Sequence, residues 1–261
     1  MDQMKFSVET ISCINEREIQ KPNEDVIIAD ADRGIFILLD GVTRPHEEYR
    51  TCPGTSAARD ASEIFAREAY AYLKEHAHTA DKECLLRDAA AYANKHLLSL
   101  RSEKSLDEWG FYPATLGVIV LIADGVLHYL TAGDCMGVLL RGSSRILFGK
   151  EFSLEGVDLL RPSKAERYEK YCNQHPDFLA YTVFNGDENV PATAEYSFLR
   201  LEKGDTFLFV TDGVGEMAKL EKQTVLKTAD LEDLLVLSAK YDTEPFGKYA
   251  DDKSIIRIRV E

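Results

Sequence analysis

Cysteine is scarce and unpatterned in this 261-residue sequence: the five, Cys13, Cys52, Cys84, Cys135 and Cys172, form no C-x-x-C pair. An odd, scattered set builds neither a disulfide framework nor a thiolate zinc site, and it fits a reducing compartment, so the expected location is the cytoplasm. The six histidines show no ligand spacing. No apolar stretch approaches the roughly 20 residues of a membrane-spanning helix. Met1 to Thr10 lacks the basic start and apolar run of a secretory signal. Positive charge is in deficit: the formal net charge is −14, which repels nucleic acid and anionic membranes and removes both as expected partners. Internal repeats, low-complexity tracts and Pro/Gly/Ser-rich linkers are absent, so one domain over 1–261 is expected.

What is present is a change of period. Met4 to Ile14 alternates apolar and polar residues as a strand does, and Val26–Ala29 and Gly34–Leu39 are short apolar runs around the turn residues Asp32-Arg33-Gly34. From Thr55 the apolar residues recur at helical spacing: Ala58, Ala61, Ile64, Phe65, Ala69 and Leu73, then Leu85, Leu86, Ala89, Ala93, Leu97 and Leu100. Two consecutive amphipathic helices are predicted. Strands return at Leu116–Ile122 and Val126–Thr131, joined by a bare Asp124-Gly125, a strong hairpin signal. Val138–Leu140 and Ile146–Phe148 are expected to continue that meander. A helix over Ser163–Cys172, an irregular Asp177–Ala194, strands at Tyr196–Leu201 and Thr206–Thr211, a helix at Leu231–Ala239 and a strand at Ser254–Val260 complete the reading. A repeated βαβ order is missing, so the pattern points to an α+β protein with antiparallel sheets and helices packed outside.

Three Asp-Gly pairs occur, and they are not equivalent. Asp124-Gly125 joins two strands. Asp40-Gly41 and Asp212-Gly213 each follow a fully apolar run, Ile35–Leu39 and Phe207–Thr211, with no matching strand promptly after. An aspartate at such an end sits at the margin of the core and needs a partner, and the glycine lets backbone approach closely. Further carboxylates stand at Asn23-Glu24-Asp25, Gly133-Asp134 and Asp251-Asp252, again at strand margins. Brought together they would repel, and a bound cation would relieve that repulsion. All-oxygen ligands without a His/Cys cluster favour Mg²⁺ or Mn²⁺ over Zn²⁺.

In their order along the chain, Asn23-Glu24-Asp25, Asp40-Gly41, Gly133-Asp134, Thr211-Asp212-Gly213 and Asp251-Asp252-Lys253-Ser254 resemble the metal-dependent protein phosphatases, the PPM family of type 2C serine/threonine phosphatases. The resemblance runs from the first strand to the last. It implies a four-layer α-β-β-α sandwich, two antiparallel sheets flanked by helix pairs, with metals at one end. It implies that Asp40 bridges two Mg²⁺ or Mn²⁺ ions, that Gly41 offers its carbonyl oxygen, and that Asp212 and Asp251 ligate directly. Glu24 and Asp25 would act through metal-bound waters or nearby hydrogen bonds, and Asp134 matches the aspartate that helps hold a third, weaker metal in several relatives. The implied chemistry is attack of a metal-activated water on phosphorus in line, with Asp40, Asp212 and Asp251 as the catalytic set.

Departures from the family pattern fall on the substrate side. Gln20 stands where relatives usually carry a phosphate-gripping arginine, Val42 where eukaryotic members carry a histidine, Cys135-Met136 where Ser-Arg is usual, and Asp252 where Asn is usual. Arg44, a short loop beyond Asp40-Gly41, is the first candidate for the missing grip, with Lys21 and Arg17 next, and His46 is a candidate proton donor to the leaving group. The charged stretch Arg161–Arg167, with Lys164, falls in the segment of about 150–195 where relatives carry a variable flap. The resemblance thus implies hydrolysis of phosphoserine or phosphothreonine in a phosphorylated protein partner. The alternatives are a weak or inactive phosphatase-fold protein that binds a regulatory partner, motivated by the missing arginine, and a phosphatase for small phosphoesters.

Overall fold

The computed structural model describes residues 5–14, 21–45, 49, 52–102, 105–149, 153–174, 180–188, 190–214, 230–239 and 251–261. Among the described residues, ten strands form two antiparallel sheets. The first contains β2 (Val26–Asp30), β3 (Ile35–Gly41), β4 (Thr115–Ala123), β5 (Val126–Ala132) and β8 (Glu195–Arg200), in that order. The second, in the order β1-β10-β9-β6-β7, contains β1 (Phe6–Cys13), β6 (Met136–Arg141), β7 (Ser144–Phe148), β9 (Thr206–Val210) and β10 (Lys253–Val260). The helices with described bounds are α1 (Ala57–Glu75), α2 (Lys82–His96, continued as a 3-10 turn over Leu97–Leu100), α3 (Ser153–Leu160), α4 (Lys164–Lys170), α5 (Val190–Thr193) and α6 (Leu231–Ala239). None of the described helices is long and apolar enough to cross a membrane.

The strands are apolar on both faces because both faces are covered. In β3, Ile35, Ile37 and Leu39 pack with Phe65, Ala69, Leu86 and Ala89 of α1 and α2, whereas Phe36 and Leu38 pack with Phe207, Phe209 and Ile256 of the other sheet. In β9 the alternation repeats: Phe207 and Phe209 face the first sheet, while Leu208 and Val210 pack with Leu231 and Leu234 of α6. Three apolar interfaces separate four layers, helix, sheet, sheet, helix, as side-chain alternation with two buried faces requires. Of the helices expected outside the second sheet, α6 is described, and 215–229 lie outside the described residues. Ser56 caps α1 by accepting from the Arg59 amide, and Asp81 caps α2 by accepting from the Cys84 amide.

One expectation is overturned. β6 and β7 do not extend the β4–β5 meander: β5 pairs with β8, and β6 pairs with β7 and β9 in the second sheet. The chain changes sheets at Gly133-Asp134, where Gly133 takes φ +75, a left-handed conformation that glycine adopts without a Cβ penalty. The alternating pattern reads the same on either sheet, so periodicity could not locate that crossing. A smaller core holds the later segment to the first sheet: Phe111, Leu116, Cys135, Tyr168, Cys172 and Tyr181 pack together.

Candidate metal centre

The change of sheets sets up the site. β3 of one sheet ends in Asp40-Gly41, β9 of the other runs out into Thr211-Asp212, and Asp134 sits on the crossing between them. One carboxylate oxygen from each of Asp40, Asp134 and Asp212 lies within 4.8 Å of the others. Asp251, just before β10, lines the same cleft. The backbone beneath is closely fitted. Asp40 and Gly41 pair with Leu116 and Thr115 of β4, the Thr115 hydroxyl donates to the Asp40 carbonyl at 2.8 Å, and Ser62 of α1 donates to Thr115 at 2.9 Å. The glycines are needed for proximity: a Cβ on Gly41 would lie 2.8 Å from the Glu24 Cβ, and one on Gly213 only 2.3 Å from the Asp252 carbonyl oxygen.

The electrostatics favour a cation. Burial raises the Asp40 carboxyl well above the ordinary carboxylate range, and repulsion from Asp212, Asp25, Asp251 and Asp134 raises it further. Asp212 is raised well above its ordinary value for the same reasons, burial first, then Asp134, Asp251 and Asp25. Asp25 is pushed up to about 8, mainly by burial, with Asp252 and Asp251 adding to it. No lysine or arginine pairs with Asp40 or Asp212 among the described residues. Asp25 Oδ1 and Asp212 Oδ1 are buried without a hydrogen-bond partner there. Orphaned, crowded carboxylate oxygens with no nitrogen or sulfur donor in the group fit a hard divalent cation.

A second acidic group beside the first is neutralised from within. Glu24, fully buried, accepts at one oxygen from Tyr49 (2.7 Å) and Ser56, and at the other from Thr43 (3.3 Å), with Lys21 Nζ at 3.0 Å. Lys21 also pairs with Asp251 (3.0 Å) and Asp252 (3.5 Å), and Asp252 accepts from the Glu24 amide at 2.8 Å. Burial alone would lower the Lys21 ammonium, but Glu24, Asp251 and Asp252 raise it well above its ordinary value. Glu24 is thus held by hydrogen bonds and an ion pair on both of its oxygens. Asp25 is a buried support, with Oδ2 accepting from Thr211 at 3.0 Å.

No protein-family model and no curated protein sequence matches the chain. Solved structures do. Mycobacterium tuberculosis PstP/Ppp, a serine/threonine phosphatase, superposes with a TM-score of 0.70 at 20% identity, covering 99% of this chain and 100% of that one. A PstP catalytic domain in complex with two manganese ions gives 0.68 at 19%, covering 99% of each chain. The PPM Ser-Thr phosphatase MsPP from Mycobacterium smegmatis gives 0.64 at 15%, covering 98% of each. This is the fold of the PPM serine/threonine phosphatases.

Within that fold, the two cations that the sequence put forward as a phosphate grip are both engaged by the protein itself. Arg44 is buried, 4% exposed, and its guanidinium donates to the carbonyls of Ser105 (2.7 Å) and Phe111 (3.3 Å). It braces the 105–111 loop and does not line the cleft. Lys21 is engaged by three carboxylates. Arg17, Gln20 and His46 lie outside the described residues. Among the described residues, the cations that line the cleft are Lys164 and Arg167 of α4, together with Tyr168 and Tyr181. Tyr181 went unmarked in the sequence because it sits in a stretch without periodicity. Cys135 is fully buried and packs with Phe111, Leu116 and Tyr181, and burial, then Asp40 and Asp134, push its thiol well up.

Proposed function

We propose that this chain is a Mg²⁺- or Mn²⁺-dependent phosphatase acting on phosphoserine and phosphothreonine in proteins. The observation that carries the reading is the convergence of Asp40, Asp134 and Asp212, with buried oxygens of Asp25 and Asp212 unsatisfied. The two manganese ions of PstP, in the same fold, support a pair of ions here, and Asp40, Asp212 and Asp251, with the Gly41 carbonyl and Asp134, are the groups that would hold them. Such cations, when bound, supply an acidified water and neutralise phosphoryl oxygens. The chain itself supplies placement. Thr115 and Ser62 fix the Asp40 backbone, Thr211 fixes Asp25, and Lys21 holds Asp251 from behind. The segment of about 150–195 is read as a flap beside the cleft.

A second reading, a phosphatase-fold binding protein with weak or no turnover, is favoured by the engagement of both Arg44 and Lys21 within the protein. Turnover of p-nitrophenyl phosphate with and without Mn²⁺ separates the two. Activity that is lost in EDTA and restored by Mn²⁺ supports the enzyme, and no turnover at saturating Mn²⁺ supports the binding protein. Phosphopeptide and metabolite panels then separate protein substrates from small phosphoesters.

A further inference from the structure

Resting on the phosphatase reading, we propose that Arg167 and Lys164 of α4, with the hydroxyl of Tyr181, grip the phosphoryl oxygens of the substrate. This is the role that sequence spacing assigned to Arg44 and Lys21. The two flap cations and Tyr181 line one cleft with Asp40, Asp134 and Asp212. A phosphate monoester dianion placed there would meet cation-loaded carboxylates and basic side chains together. Arg167 offers a planar fork suited to two phosphoryl oxygens, and Lys164 adds a point charge.

Tyr181 is the independent observation. The residue is 4% exposed, yet its hydroxyl is buried and has no hydrogen-bond partner among the described residues. A buried O–H without an acceptor is costly, and on the wall of this cleft a phosphoryl oxygen would satisfy it. Burial raises this phenol well above its ordinary value, so it remains a donor at neutral pH.

These donors are on a fixed platform. Ser163 and Glu166 form a capping box at the start of α4. Tyr168 stacks on Phe111 with centroids 3.7 Å apart, and Lys164 Nζ lies 5.8 Å from the Trp109 ring centroid. Arg167 lies 5.9 Å from the Tyr181 ring centroid. Backbone bonds tie Tyr181 to the end of α4: its amide donates to Tyr171 at 3.0 Å, and its carbonyl accepts from Asn173 at 2.8 Å. Arg44 then acquires a use, since it holds the carbonyl of Phe111 on which Tyr168 is stacked.

The test measures inorganic phosphate binding to the Mn²⁺-loaded full chain by calorimetry, and as inhibition of p-nitrophenyl phosphate turnover. Arg167→Ala should weaken phosphate roughly ten-fold or more, the loss of a charged hydrogen bond. Arg167→Lys should fall between, and it serves if the alanine variant misfolds. Tyr181→Phe should weaken phosphate several-fold while its Tm holds or rises, because it deletes an unsatisfied buried hydroxyl. Mn²⁺ affinity, measured separately, should not change. Wild-type phosphate affinity in both Arg167→Ala and Tyr181→Phe overturns the proposal, as does a loss that only tracks weaker Mn²⁺ binding. Calorimetry reads the grip even without turnover, so a protein that binds phosphate through Arg167 but hydrolyses nothing sinks the phosphatase reading and leaves the grip standing.

Discussion

Glu24 and Asp252 lie beside Asp25, Asp40 and Asp212, yet the two groups meet opposite solutions to the same repulsion. Lys21, its side chain 5% exposed, neutralises Glu24 and Asp252 with a charge that belongs to the chain. Asp40 and Asp212 have no such partner among the described residues: burial raises their carboxyls and neighbouring aspartates raise them further, whereas at Glu24 the rise from burial is opposed by Lys21. Asp251 touches both groups, with one oxygen on Lys21 and a place on the cleft wall. The difference teaches where charge is structural and where it is held open for a ligand. A built-in lysine completes the first group, whereas the second, without one among the described residues, is left with the donor set that a divalent cation would complete.

The sharpest way to break that comparison is to remove one charge from each group. Asp40→Asn should cut kcat by orders of magnitude and abolish stabilisation by Mn²⁺. In EDTA the same variant should be as stable as the wild type or more so, because a repelling charge is gone. Asp124→Asn, at the hairpin, should change neither. A variant that loses activity and EDTA stability together would show that Asp40 is structural. Lys21→Met should lose stability whether or not metal is present. Breaking a buried ion pair from one side costs about 3–5 kcal/mol, and the loss should appear in denaturant unfolding with or without Mn²⁺. Full stability in Lys21→Met would dissolve the distinction.

Next in size is the pH dependence of the metal-free protein. Asp25, Asp40 and Asp212 all have raised folded-state pKa values, Asp25 to about 8 from an ordinary 3.8. Across that window the folded protein holds protons that the unfolded chain has released, so stability is greatest at the acidic end and declines as pH rises toward 8. Saturating Mn²⁺ at the alkaline end should restore it, by about 2.7 kcal/mol at a hundred-fold excess over Kd. Melting curves from pH 5 to 8 in EDTA and in Mn²⁺ check both signs. A metal-free Tm that climbs with pH would show that the crowding is relieved some other way.

Much of the fold was legible because its signals are local. The two helices over 57–96 and the Asp124-Gly125 hairpin announce themselves in period and turn chemistry. The sheet to which β6 belongs was not legible, since a strand with two covered faces carries no label for its partner. The acidic strand ends Asp40, Asp134, Asp212 and Asp251 were marked by position. The fate of Arg44 and Lys21 was not, because it depends on the Ser105 and Phe111 carbonyls and on Glu24 and Asp252, most of them far away in sequence. Tyr181 was hidden because the stretch around it has no periodicity.

The smallest effects separate the Asp-Gly pairs themselves and ask whether the contrast resides in the carboxylates or in the backbone beneath them. In the hairpin, Asp124 and Gly125 have φ of 51 and 74, so glycine serves conformation there. A Cβ at Gly213, by contrast, would strike the Asp252 carbonyl, so glycine serves proximity. Gly125→Ala should cost about 1 kcal/mol through its left-handed backbone and leave Mn²⁺ affinity unchanged. Gly213→Ala must displace the 251–252 backbone, and with it Asp251. Its Mn²⁺ affinity should fall by more than its stability alone would suggest. Calorimetric Mn²⁺ titration of both variants decides it, because equal Mn²⁺ affinities would mean that the close approach of Gly213 to Asp252 serves packing and not the placement of Asp251.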